Sequence, residues 1–120
     1  GGTGFLLARR VDGVLKEILA AVDVVASALE AVGQAGFSAD RFMRLGAERS
    51  LEIISEAVRH VPDEVLAKRP DIAWTDVRTI GNRLRHEYWR VDPQIVWDVA
   101  RDDLPPLREA IAAMLAELQA

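Results

Sequence analysis

The 120-residue sequence predicts an all-α protein built as an antiparallel bundle of four or five helices. Apolar residues recur at alternating spacings of three and four along successive stretches, which draws one stripe down each helix. No stretch alternates apolar and polar residues with a period of two, so no sheet is expected. Capping residues, glycines and prolines stand between the stretches.

From Val11 to Val32 the stripe is Val11, Leu15, Ile18, Val22, Val25, Leu29 and Val32, with Asp12, Lys16, Asp23, Ser27 and Glu30 opposite and Gly33 to Gly36 as the stop. Ser38 is the expected cap of a second helix, with Asp40 in its first turn and an end near His60. Its stripe is Met43, Ala47, Leu51, Ile54 and Val58, and Arg41, Arg44, Glu48, Glu52, Ser55 and Arg59 form a charged face. Arg49 and Glu56 lie on the border, either as a semi-buried ion pair or as part of a site. Pro62, Asp63 and Glu64 open a short helix that is expected to end near Arg69 and Pro70. Trp74, Val77, Ile80, Leu84 and Tyr88 mark another helix, from Trp74 to about Trp89. Asp92 and Pro93 begin the last, with Val96, Val99 and Ala100 inward; Leu104, Pro105 and Pro106 kink it before Leu107, Ile111, Met114, Leu115 and Leu118 resume the pattern.

Half of the residues are hydrophobic, enough for one domain with a single core over residues 11–120. The opening GGTGFLLARR, residues 1–10, reads as a cloning remnant or a disordered tail. A net charge of −4 excludes a protein that coats nucleic acid or anionic membrane through its bulk field, so such a partner needs a local basic patch. Without cysteine there is neither a disulfide framework nor a thiolate metal site, which fits a reducing compartment and makes the cytoplasm the expected location. Charged residues interrupt every apolar run before the roughly 20 residues that a membrane span needs.

Phosphate loops, nucleophile elbows, paired-histidine zinc helices and calcium loops are missing, so neither metal nor cofactor is expected. His60, at the end of the second helix, suits the negative end of the dipole. His86 has different neighbours. Between Trp74 and Arg90, the four arginines Arg78, Arg83, Arg85 and Arg90 face only Asp76 and Glu87, a local excess of +2. On a helix Arg83 lies three residues and Asn82 four residues before His86, so amide, guanidinium and imidazole share one surface. An imidazole titrating near neutrality moves protons and a guanidinium fork fits phosphate, which together suit cleavage or binding of a phosphodiester. By spacing alone, a solvated arginine-rich face explains the same residues.

These residues resemble the HEPN domains, and within them the HepT-like toxins that pair with a nucleotidyltransferase antitoxin of the MNT kind. ERSLEIISEA (Glu48 to Ala57) is similar to the family's second-helix motif, and PDIAWTDVRTIGNRLRHEYWRVDPQIVWDVARDDLPPL (Pro70 to Leu107) is similar to its signature region. The resemblance implies a metal-independent endoribonuclease toxin, a homodimer with two sites facing each other across a cleft. The family's active motif is an arginine, four to six residues, then a histidine, commonly with asparagine after the arginine and tyrosine two beyond the histidine. Asn82, His86 and Tyr88 match; Gly81 stands where the arginine would, and Arg85 replaces an apolar residue. Either Arg85 folds back over space left by Gly81, or Gly81 packs closely against another helix. The implied roles are proton transfer by His86, orientation by Asn82, phosphate stabilisation by Arg85 or Arg83 with Arg78 in reserve, and adenylylation of Tyr88, which as a stripe residue also suits the core. The rival reading is a non-catalytic RNA-binding or partner-binding module, and a third is a plain dimerisation bundle.

Overall fold

The computed structural model describes the backbone of residues 2–87 and 92–120 and the side chains of residues 10–84 and 92–120. The elements are α1 (Gly2–Ala39), α2 (Arg41–Arg59), α3 (Asp63–Leu66), α4 (Trp74–Glu87), α5 (Pro93–Asp98), a π-helical turn (Val99–Asp103) and α6 (Leu104–Gln119). Every regular element among the described residues is helical, as expected for the bundle. α1 and α2 form the central pair; α4 packs on α2 and α6 on α1, while α5 bridges the two central helices.

α1 starts at Gly2, ahead of the expected Val11, so the backbone of the opening segment continues the helix. Val11, Leu15, Ile18, Val22, Val25 and Leu29 are buried as the stripe requires. By length and composition Arg10–Ala39 is apolar enough to cross a membrane, which the interrupting charges had argued against, but its stripe is occupied by the bundle core. Gly33 does not stop the helix. It kinks it, with φ 69° and ψ 178°, a left-handed value that glycine adopts without a Cβ penalty. The helix then resumes to Ala39; Val32, expected inward, is left 37% exposed, and Phe37 is fully buried with its ring 6.0 Å from that of Trp97.

Because α1 reaches Ala39, Ser38 lies inside it and cannot cap α2. The cap is Asp40, whose carboxylate accepts a hydrogen bond from the Met43 N–H at 3.0 Å. Asp40→Ala is expected to cost about 1 kcal/mol in urea unfolding, the usual loss for an N-cap acceptor, and Asp40→Asn to cost much less.

α2 buries Ala47, Leu51, Ile54 and Val58 on its predicted stripe, but Ser55, assigned to the charged face, is also buried. Arg49 does not pair with Glu56: it meets Glu52 at 3.0 Å, one turn away, and Glu56 lies beside Arg59 and His60. α3 ends at Leu66 instead of near Arg69. Trp74 links it to α4, its indole N–H lying 3.0 Å from the carbonyls of both Leu66 and Arg69.

Asp92 caps α5 as predicted, accepting from the Gln94 N–H at 2.8 Å. The expected kink is a π-helical turn. Pro105 and Pro106 have no N–H to give the carbonyls of Arg101 and Asp102, so the regular ladder fails there and the chain widens before α6. Leu107, Ile111 and Met114 are buried on α1. Arg108 meets Asp23 of α1 at 2.7 Å, and its hydrogen bond holds the Asp23 carboxyl below the usual range.

Candidate functional site

α4 divides into two sides. Gly81 and Leu84 are buried and Val77 and Ile80 half-buried, whereas Thr75, Thr79, Asn82 and Arg83 are exposed. At 100° per residue, position 86 falls one turn beyond Asn82 and Arg83 on the backbone of the exposed side. The structure therefore brings Asn82 and Arg83 together; the side chains of Arg85 and His86, and all of Tyr88, lie outside the described residues. Arg78, the reserve phosphate ligand, is engaged by Asp63 at 2.8 Å.

Ser55 of α2 fixes α4 in place. Its hydroxyl donates to the Arg78 carbonyl at 2.7 Å and accepts from the Gly81 N–H at 3.2 Å. Arg59 adds a second donor to the same carbonyl at 3.0 Å. A Cβ on Gly81 would stand 2.7 Å from Ser55 Oγ and 2.9 Å from Ser55 Cβ. The space above Gly81 is thus filled by Ser55 of α2, and close helix packing accounts for the glycine. An arginine at position 81 would begin from the same blocked Cβ.

The register runs antiparallel: Arg78 meets Ser55 and Arg59, while Gly81 meets Ser55 and approaches Glu52. Burial pushes the Glu48 carboxyl above its usual range, against the pull of Arg44 and with a contribution from Glu52.

His60 is the C-cap of α2, and its Nε2 lies 3.5 Å from Glu56, in keeping with the helix-end role read from its position. Among the described residues no three histidine, cysteine, aspartate or glutamate side chains cluster to hold a metal ion.

Sequence reasoning missed Ser55. A lone serine among charges carries no signal of burial, and its function emerges only when a glycine on another helix is set against it. It also missed a pocket of about 360 Å³ between α2, the start of α4 and the head of α6, because no single helix stripe encodes the gap between two helices.

A helical bundle in which α4, packed on α2, exposes Asn82 and Arg83 defines a class of small α-helical proteins. Residues 18–114 match the family model described as "Ribonuclease HepT-like". The chain belongs to this HepT-like ribonuclease family. It is 27% identical over 94 residues to a Thermococcus cleftensis protein named "Probable ribonuclease HepT", an alignment covering 78% of this chain and 86% of the relative. A candidate RNase of Caldanaerobacter subterraneus subsp. tengcongensis is 28% identical over 101 residues, covering 84% and 90%. A candidate RNase of Methanocaldococcus jannaschii is 24% identical over 111 residues, covering 92% and 96%. No solved structure matches at the same significance.

Proposed function

We propose that the chain is a metal-independent endoribonuclease, the toxin of a toxin–antitoxin pair, with His86 moving the protons. The observation that carries this reading is the exposed side of α4, where Asn82 and Arg83 stand together one turn before position 86 in a member of a ribonuclease family. His86 takes the proton of a ribose 2′ hydroxyl as that oxygen attacks phosphorus, and the bond from phosphorus to the 5′ oxygen of the next nucleotide breaks. The departing oxygen receives a proton from water or from the imidazolium that His86 has become, leaving a 2′,3′-cyclic phosphate and a 5′ hydroxyl. Arg83, with Arg85, stabilises the charge that grows on the phosphoryl oxygens, and Asn82 orients the imidazole.

The protein acts as a cytoplasmic homodimer, and a nucleotidyltransferase antitoxin silences it by adenylylating Tyr88. The test is cleavage of a labelled RNA in EDTA by the purified chain. His86→Ala is expected to slow cleavage by about 10²–10⁴-fold, the range for loss of a general acid or base. Cleavage that needs added divalent metal, or that survives the substitution, rejects the mechanism.

Gly81, standing where the family motif has arginine, favours a second reading: a non-catalytic module that binds RNA or a partner. Its mark would be RNA binding without cleavage and no growth arrest on expression.

A further inference from the structure

The pocket of about 360 Å³ lies on the flank of α4 nearest α6, and its volume is that of an ordinary ligand site. Leu51 and Ile54 of α2, Val77 and Ile80 of α4 and Leu107 of α6 are among its walls. Three carboxylates, Asp71, Asp76 and Asp103, also line it, and all three residues are exposed. Asp71 has Arg69 at 3.4 Å, whereas neither Asp76 nor Asp103 has an ion-pair partner among the described residues. Among the described residues no lysine or arginine lines the cavity.

An apolar interior with an all-acidic charged lining repels phosphate, so this is not an extension of an RNA track. It complements a chain segment that inserts an aliphatic or aromatic side chain and brings a cation beside it. We infer that the pocket is a docking site for a partner protein segment presenting an apolar anchor flanked by lysine or arginine. The π-helical turn contributes to this site: Val99 and Asp103, at its two ends, both line the cavity. The docking stands whether or not the chain cuts RNA, because neither Asn82 nor Arg83 lines the pocket and the inference uses only its apolar and acidic walls.

The test uses the full chain and a fluorescein-labelled amphipathic peptide of leucine and lysine, read by fluorescence anisotropy, beside a counterpart with glutamate for lysine. The leucine–lysine peptide is expected to bind and the glutamate peptide not to bind. Asp76→Lys/Asp103→Lys should weaken binding at least tenfold, and Ala73→Leu, which narrows the pocket from its exposed edge, at least fivefold. Glu30→Lys/Glu64→Lys makes the same charge change at residues that do not line the pocket and should stay within twofold. Thermal unfolding of each variant verifies that it is folded. No binding by the wild-type chain, equal weakening by the Glu30/Glu64 pair, or unchanged binding by Ala73→Leu overturns the inference. A change of oligomeric state in Ala73→Leu, seen by sedimentation, also overturns it, since the occupant would then be a second copy of the chain.

Discussion

Gly81→Arg is expected to destabilise the protein by about 3 kcal/mol, at the upper end of overpacking costs, and to yield no gain in RNA cleavage. An arginine at this position would supply the residue that the sequence resemblance implies there, so the naive expectation is improved activity. Geometry decides otherwise. The first side-chain atom already falls 2.7 Å from Ser55 Oγ and 2.9 Å from Ser55 Cβ. The hydroxyl can rotate, but the Cβ moves only if α2 moves. Gly81→Ala isolates the steric part. Alanine is favoured over glycine inside a helix by about 1 kcal/mol, whereas overpacking costs roughly 1–3 kcal/mol, so the net is a loss of up to about 2 kcal/mol. Ser55→Gly removes both obstructing atoms. In that background Gly81→Ala should become neutral or stabilising, and a double-mutant cycle in urea should return a coupling within the roughly 0.5–3 kcal/mol seen for residues in contact. Additive effects would show that α2 does not confine position 81.

Phe37→Ala is expected to cost about 3–5 kcal/mol, the range for truncating a buried phenylalanine. Phe37 is 0% exposed and is the largest of the fully buried side chains among the described residues. Its ring meets Trp97 at 6.0 Å with a 40° tilt, a tilted pairing that typically adds about 0.5–1.5 kcal/mol beyond area burial. A domain of this size has about 5–15 kcal/mol of total stability, so the variant should sit near its unfolding threshold and melt many degrees below the parent. Phe37→Leu, which keeps most of the apolar volume, should recover most of the loss. The effect reaches beyond one cavity, because Phe37 holds the segment of α1 after the kink against α5, the helix that re-enters the core shortly after α4.

The bundle was legible because its signals are local. The stripe from Val11 to Leu29, the stripe of α2 and the Asp92 cap of α5 each depend on a few neighbouring residues, and the structure keeps them. Ser38 and Asp40 show where locality ends. Both are good caps by type, and which one acts is settled by whether α1 continues past Gly33, which in turn brings Phe37 into a core made by other helices. In the site, helical spacing was enough to set Asn82 and Arg83 on one exposed side. The meaning of Gly81 was undecidable from α4 alone, since an empty position and a crowded one read as the same letter. Ser55 and the acidic lining of the pocket were illegible for a related reason: each is made by residues from helices distant in the chain.

The contact between Ser55 and Gly81 also bears on inheritance. Two residues 26 positions apart share one small volume, so neither can drift to a larger side chain unless the other shrinks or the helices part. They constitute a single heritable choice, made jointly. Any descendant of this chain that acquired an arginine at position 81 would first have to loosen position 55, giving up the hydroxyl that now holds α4 in register.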